Sequence, residues 1–211
     1  MKMIACLPLL WLLSGSAEAL QCLSVMDNYT SVQNCAANQL CATVAYSARS
    51  PSMNKSSGLF RTCSPPYFCN TGHQPWSYSY LSWSMAASVQ CCNTDYCNSQ
   101  DLPYPNIDTK NGLQCFTCPP DGACESEQCV GGQDRCFIAY FNVLGRDYNV
   151  SGCVSSNACE ALSQEKVQSA LAVYMNFTSA PRCCESSFCN SAWTFKVSVL
   201  ALLPGLIDLV L

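Results

Sequence analysis

The sequence predicts a small, disulfide-rich, all-β protein made of two tandem domains. It contains 19 cysteines in 211 residues but only one histidine. Cytosolic thiols stay reduced, so this cysteine density indicates an oxidising compartment, where small domains rely on disulfides instead of a large core. Two further observations support the prediction: a set of cysteine motifs occurs twice, and the intervening segments have the pattern of β-hairpins.

The internal repeat is clearest at its two ends. Leu20-Gln21-Cys22 recurs at 113–115, and the run from Cys91-Cys92 to Cys97-Asn98 recurs at 183–190. Four cysteines between these motifs also correspond: 35 with 129, 41 with 136, 63 with 153 and 69 with 159. A match of this length in one register indicates two copies of the same domain.

The repeat sets the expected domain boundaries. Domain one is predicted at 20–99 and domain two at 113–190. The connecting residues 100–112 contain Pro103 and Pro105, which favour a short, stiff and extended linker.

Two hairpins are predicted between the cysteines, because apolar strand-forming segments flank stretches rich in turn residues. The paired segments are 42–46 and 58–62 around the turn 50–57 in domain one, and 137–143 and 148–150 around 144–147 in domain two.

One segment of domain two is predicted to be helical. Residues 163–174 carry apolar side chains from Val167 to Tyr174 at helical spacing. Ser163 is a suitable N-cap, and Glu165 falls in the first turn. We therefore expect a short helix late in domain two, with its apolar face packed on its own sheet.

The N-terminus has the features of a secretory signal peptide at 1–19. Lys2 precedes an apolar run at 3–13, and Ala17-Glu18-Ala19 fits the small-x-small pattern of signal peptidase sites. Cleavage would also remove Cys6. The eighteen remaining cysteines can then pair completely.

The C-terminus has the order of a glycosylphosphatidylinositol (GPI) signal. An apolar run at 197–211 is shorter than the roughly 20 residues that span a bilayer, and no basic residue follows it. Small residues at 190–192 and a brief spacer precede it. We expect removal of 191–211, with the lipid anchor on Asn190 or Ser191. The alternative is a hydrophobic tail on a soluble secreted protein.

The charge of the chain argues against one class of partner, and its sequence motifs predict glycosylation. The formal net charge is −4, and no cluster of Lys and Arg occurs, so nucleic acid is not an expected partner. Four Asn-x-Ser/Thr sequons predict glycosylation at exposed sites. Their asparagines are Asn28, Asn54, Asn149 and Asn176.

The sequence predicts no catalytic site, cofactor or small-molecule substrate. His73 is the single histidine, and no nucleophile motif accompanies it, so it is interpreted as a surface-loop residue. The spacing Cys115-x-x-Cys118 could suggest zinc or a redox dithiol, but a structural zinc site would need further reduced ligands. A disulfide half-site is the preferred interpretation.

The opening Leu-x-Cys, the Cys115-x-x-Cys118 pair and the closing motifs that end at Asn98 and Asn190 resemble the lymphocyte-antigen-six/urokinase-receptor family. The resemblance covers nearly all of the mature chain. It implies a three-finger fold in each domain, in which three β-hairpin loops project from a disulfide-bonded base.

The resemblance also implies the disulfide pairing. In domain two it gives Cys115–Cys136, Cys118–Cys124, Cys129–Cys153, Cys159–Cys183 and Cys184–Cys189. In domain one it gives Cys22–Cys41, Cys35–Cys63, Cys69–Cys91 and Cys92–Cys97. The counterpart of Cys118–Cys124 is missing from domain one and would fall near Val25 and Thr30. We therefore expect a looser first finger there.

The candidate partner contacts lie in the last finger of domain one, within residues 74–83. In an extended strand Trp76, Tyr78 and Tyr80 share one face, with serines opposite. Together with Trp83 they form an aromatic set of the kind enriched in interface hot spots. The alternative is that the stripe packs on domain two or on the linker, including Tyr104.

The resemblance implies a GPI-anchored glycoprotein on the outer face of the plasma membrane. Such a protein would bind a protein ligand or receptor through its finger loops, in adhesion, immune or gamete-surface recognition. The alternative function is that of a soluble secreted inhibitor similar to the gamma-type phospholipase inhibitors. Domain one is the expected partner-facing half.

Overall fold

The computed structural model describes residues 19–26, 29–69, 74–119, 123–143, 145–172 and 176–191. Within these residues the chain is mostly β, as predicted. The strands are β1 (Gln21–Met26), β2 (Tyr29–Asn34), β3 (Leu40–Ser50), β4 (Met53–Ser64), β5 (Trp76–Tyr80), β6 (Trp83–Cys92), β7 (Lys110–Thr117), β8 (Glu125–Val130), β9 (Arg135–Val143), β10 (Arg146–Val154) and β11 (Asn176–Cys184). The helices are α1 (Pro66–Cys69), α2 (Ser156–Leu162) and α3 (Glu165–Leu171), with a 3₁₀ turn at Cys97–Ser99.

The main sheet runs through both halves of the chain. Its strand order is β11-β9-β10-β5-β6-β3-β4-β1-β2, and β7 and β8 form a separate two-stranded sheet. In domain one, the fingers are the hairpins β1–β2, β3–β4 and β5–β6. In domain two they are β7–β8, β9–β10 and the segment that contains α2, α3 and β11. The third finger of domain one therefore adjoins the second finger of domain two.

The hairpin of the second finger in domain one is longer than predicted. The expected turn at 50–57 is mostly strand, because Ser47 pairs with Ser57 and Ser50 pairs with Met53. The turn itself occupies only residues 51–52. Asn54 and Lys55 have low strand propensity, but backbone pairing along the sheet overrides it. In domain two, β9 and β10 pair as expected, with Tyr148 opposite Phe141.

The helical prediction for domain two is right in type but wrong in its start. Ser163 does not cap the helix at its N-terminus. It ends α2 instead, and its hydroxyl donates to the Cys159 carbonyl at 2.9 Å. Helix α3 begins at Glu165, and its Val167 side chain is fully buried. Tyr174 lies outside the described residues. Helix α2 was not predicted, because seven residues are too few for a clear period.

Nine disulfides join the eighteen cysteines that lie within the described residues, in the pairing that the family resemblance implies. They are Cys22–Cys41, Cys35–Cys63, Cys69–Cys91, Cys92–Cys97, Cys115–Cys136, Cys118–Cys124, Cys129–Cys153, Cys159–Cys183 and Cys184–Cys189. At each base three sulfurs lie within 4.8 Å of one another. Because all of them are in disulfides, none is a thiolate that could bind a metal.

An asparagine closes each domain in the same way. Asn98 accepts from the Leu23 amide at 3.0 Å and donates to the carbonyls of Leu23 and Ala42 at 2.9 and 3.1 Å. Asn190 repeats this pattern on Phe116 and Phe137, at 2.8–3.0 Å. Both side chains are buried. The Cys-Asn motif therefore ties the end of each domain to its first and third strands.

Among the described residues, no helix combines the length and apolar character needed to cross a membrane. The predicted signal peptide, apart from Ala19, and all but Ser191 of the predicted C-terminal signal lie outside these residues.

Candidate partner-binding surface

Strand β5, which carries the predicted aromatic stripe, joins the two domains. It pairs antiparallel with β10, with Tyr78 opposite Val154 and Ser79 opposite Cys153. The Ser155 amide donates to the Ser77 carbonyl at 2.8 Å, and the Ser77 amide donates to Ser155 Oγ at 2.9 Å. Backbone hydrogen bonds therefore connect the domains directly.

The serine face of β5 is the buried one. Ser77 and Ser79 face Gln133 of domain two, which is fully buried. Gln133 Nε2 donates to Ser77 Oγ at 3.0 Å, and its Oε1 lies 2.9 Å from Ser79 Oγ. The same Oε1 accepts from the Val130 amide at 3.0 Å. This network gives hydrogen-bond partners to Ser77, Ser79 and Gln133, which lowers the cost of burying these three side chains.

A carboxylate of domain two also enters this interface. Burial raises the pKa of Glu127, and hydrogen bonds from the Ser79 hydroxyl and the Ser82 backbone offset part of that rise. Glu127 Oε2 is buried without a hydrogen-bond partner among the described residues. The interface therefore favours the protonated form of this carboxyl.

The first aromatic residue of β5, Trp76, lies at the core of domain two. Trp76 packs against a cluster that includes Phe137, Val154 and Ala158, which α2 covers. From domain one the Phe68 ring approaches it, with ring centroids 5.8 Å apart. Tyr80 also reaches across, since its hydroxyl lies 3.4 Å from the Cys118 carbonyl of domain two. These two aromatic residues belong to the interface between the domains.

The linker packs on the side of the domain-one sheet that Ala45 and Ser47 face. Its Ile107 is fully buried. Arg61 pairs with Asp101 at one end of the linker, while Asp108 pairs with Arg49 and with Lys55 at the other. These ion pairs hold the pKa of the Asp108 carboxyl below its usual value, with the Lys55 hydrogen bond as the largest cause. Tyr104 points away and is 56% exposed.

The opposite side of the domain-one sheet stays open toward the finger tips. Tyr78 lies opposite Met85, Met85 opposite Ala48, and Ala48 opposite Ser56. Residues directly opposite one another share a face of the sheet. The same face carries Phe60 and Trp83, which follow the two-residue period of their strands. We call this surface, made of Ala48, Phe60, Tyr78, Trp83 and Met85, the open face.

The open face exposes four large side chains: Tyr78, Trp83 and Met85 line one groove, and Phe60 lies nearer the base, next to Tyr46. Tyr78 is 45% exposed, Trp83 51%, and Phe60 and Met85 37% each. On the same side of the sheet in domain two, α2 covers the apolar residues. The apolar side chains of the open face therefore have no helical cover at the finger tips within the described residues.

The structure thus divides the predicted aromatic set. Trp76 and Tyr80 pack between the domains, which was the alternative interpretation of the stripe, whereas Tyr78 and Trp83 are on the surface. Sequence reasoning missed Phe60 and Met85, since they lie on other strands and only the sheet register brings them together. Met85 does stand two residues after Trp83, a strand period that could have pointed to it.

The other predicted site residues are separate from this surface or lie at its edge. Asn54 is exposed at the tip of the second finger, and Asn149 is half-buried on β10. Asn28, His73 and the side chain of Asn176 lie outside the described part of the chain.

Comparisons with known proteins found a matching domain family, a curated relative and a solved structure. A family model described as the u-PAR/Ly-6 domain matches residues 18–100 and 111–192. The urokinase plasminogen activator surface receptor of Bos taurus is 30% identical over 112 residues, which cover 48% of this chain and 32% of that receptor. The chain thus aligns with about a third of the length of that relative. The crystal structure of mouse TEX101 matches 81% of this chain and 98% of its own, at 16% identity and a TM-score of 0.27.

The two family matches cover most of the chain and coincide with the two repeats. The chain belongs to the u-PAR/Ly-6 domain family, with two copies of the domain in tandem.

Proposed function

We propose that this protein is a GPI-anchored cell-surface glycoprotein that binds a protein ligand through the open face of domain one. The observation that carries the proposal is the group of exposed apolar side chains on that face, Phe60, Tyr78, Trp83 and Met85. Contiguous exposed apolar surface marks interaction sites in folded proteins. Tyr and Trp are also the residues that most often dominate binding energy.

The interface between the domains supports this proposal. The open face is built on strands β3 to β6, and β5 is hydrogen-bonded to β10 of domain two. A surface held on paired strands loses little conformational entropy when a partner binds. A rigid sheet also suits binding through aromatic side chains, which have few rotatable bonds.

The proposed anchor is better placed on Ser191 than on Asn190. The Asn190 side chain is 1% exposed and makes three hydrogen bonds that close domain two. A lipid linked through the Asn190 carboxyl would begin directly at this buried group. Ser191 is half-buried and one residue further along the chain. A lipid linked to Ser191 therefore leaves the three Asn190 hydrogen bonds intact.

Phosphatidylinositol-specific phospholipase C tests the anchor on intact cells. We expect the enzyme to release the protein into the medium. Full secretion without enzyme treatment would contradict the anchor and would favour the soluble inhibitor instead. Mass spectrometry of the C-terminal peptide of the released protein would then identify the residue that carries the lipid.

Proximity labelling on intact cells tests the binding surface. We expect a defined set of neighbours for the wild-type protein, and loss of that set for the double variant Tyr78→Ala with Trp83→Ala. Tyr104→Ala is the matched control, because Tyr104 is similarly exposed but outside the open face. If the double variant labels the same neighbours at the same cell-surface level, the open face is not the binding surface.

A further inference from the structure

A shallow groove lies at the finger-tip end of the open face, beside the sequon asparagine of the second finger. Tyr78, Trp83 and Met85 supply its large apolar and aromatic side chains, and Asn54 and Ser56 lie on its second-finger side with Ala48 between them. Arg49, Ser50 and Ser84 complete its lining. Its volume is about 120 Å³, well below the roughly 300–1,000 Å³ of pockets that enclose a free small molecule. A groove of this size suits a single six-membered ring that rests on it from one side.

The polar edge of the groove contains an asparagine to which a sugar ring can be attached. Asn54-Lys55-Ser56 is an N-glycosylation sequon, and Asn54 and Ser56 are both exposed. Modification forms a bond between Asn54 Nδ2 and C1 of N-acetylglucosamine. A polyprenyl diphosphate leaves from that carbon, and the amide gives up one proton. The first sugar is then tethered next to Trp83 without any further loss of translational freedom.

We infer that the occupant of this groove is the chain's own Asn54 glycan, whose first N-acetylglucosamine packs on Trp83 and Met85. One face of the pyranose ring presents C–H groups, and the acetamido group adds a methyl. The face of an indole carries negative charge density that attracts such C–H groups. Packing also removes apolar surface from water, which is favourable for an exposed cluster of this kind.

This inference concerns a covalently attached sugar and does not depend on the proposed protein ligand, but it limits where that ligand can bind. With the sugar on Trp83 and Met85, the ligand would contact Tyr78, Phe60 and the outer side of the sugar. The sugar covers the finger-tip end of the open face near Trp83. Phe60, on the same face but not among the residues that line the groove, stays available for other contacts.

The test uses the full chain expressed with high-mannose glycans and treated with an endoglycosidase that leaves one N-acetylglucosamine per site. Mass spectrometry should find this sugar on Asn54. In proton NMR spectra, one N-acetyl methyl resonance should be shifted upfield by the ring current of Trp83. That shifted resonance should be absent from Asn54→Gln. The thermal midpoint should be about 2–4 °C higher with the sugar than in Asn54→Gln.

Variants of the aromatic residue separate sugar packing from a general effect on folding. Trp83→Ala should remove the upfield shift and the gain in thermal midpoint, while Trp83→Phe should retain part of both because it keeps a ring. Tyr104→Ala, the exposed aromatic control, should change neither. An unmodified Asn54 in the secreted protein, or a methyl resonance that does not depend on residue 83, would overturn the inference.

Discussion

Val25 lies directly opposite Thr30 in the first hairpin of domain one. In the first hairpin of domain two, the equivalent position is the disulfide Cys118–Cys124, whose Cα atoms are 4.1 Å apart. The register of β1 and β2 therefore agrees with the sequence-based expectation that the missing cysteine pair would fall near these two residues. The backbone is arranged as if for a cross-link that this domain lacks.

The double variant Val25→Cys with Thr30→Cys should restore that cross-link. Closure of so short a loop is expected to stabilise the first finger by about 2 kcal/mol, because it restricts the unfolded chain. Non-reducing peptide mapping would detect the bond, and hydrogen exchange of the β1 and β2 amides would measure the stabilisation. Cys118→Ser with Cys124→Ser is the reciprocal control and should speed exchange in β7 and β8. Free thiols at 25 and 30 in the folded protein would contradict the prediction.

Cysteine and hairpin patterns anticipate much of this fold, whereas the contact between the domains could not be read from them. The repeat register aligns Cys63 with Cys153 and Asn98 with Asn190, and each aligned pair occupies matching places in the structure. The pairing of β5 with β10 rests on long-range geometry, which local periodicity does not encode. For the same reason the sequence grouped Trp76 with Tyr78 on one strand face but left open which of them is exposed.

Trp76 and Trp83 should respond differently to the same substitution. Trp76→Ala should lower the free energy of unfolding by about 3 kcal/mol, because it empties a site packed between Phe68 and the core of domain two. In the deglycosylated protein, Trp83→Ala should change the free energy of unfolding by no more than about 0.5 kcal/mol, because the Trp83 ring is on the surface. Denaturant unfolding of enzymatically deglycosylated protein would compare them. Equal losses would place Trp83 in the packed interior as well.

Glu127 should make the interface between the domains sensitive to pH. Its pKa is raised above the usual 4.5 by burial, so between that value and its raised pKa the folded protein holds more protons than the unfolded chain. Stability contributed at this site therefore falls as pH rises through the window and recovers as pH falls. We expect Glu127→Gln to raise the thermal midpoint at neutral pH and to flatten its dependence on pH.

Thermal midpoints measured from pH 4 to pH 8 would check this expectation. Glu125→Gln is the matched control, since Glu125 lies on the same strand two residues away but is exposed. The control should leave the pH profile unchanged. If Glu127→Gln instead lowers the midpoint at neutral pH, the ionised carboxylate is stabilising the interface and the predicted sign is wrong.

The lack of a side chain at Gly152 should be necessary for β5 and β10 to pair in one sheet. A Cβ atom at this position would lie 2.1 Å from the Ser79 carbonyl oxygen on the neighbouring strand, far inside contact distance. Any side chain there must push β5 away from β10. Gly152→Ala is therefore expected to cost about 1–3 kcal/mol and to release the hydrogen bonds between Ser77 and Ser155, while the disulfide-bonded base of each domain stays folded.

Hydrogen exchange of the Ser77 and Ser155 amides would measure this separation directly. Both amides donate hydrogen bonds across the interface, so their exchange should quicken by about tenfold or more in Gly152→Ala. Gly132→Ala is the milder comparison, because its Cβ would meet only the flexible Gln74 side chain, at 3.2 Å, and would disturb at most the one hydrogen bond from Gln74 to the Gly132 carbonyl. Unchanged exchange at Ser77 in Gly152→Ala would mean that the strand pair accommodates the added methyl, and the steric argument from the Ser79 carbonyl would be wrong. Faster exchange confined to these amides would instead show that β5 and β10 separate while each disulfide-bonded base stays folded.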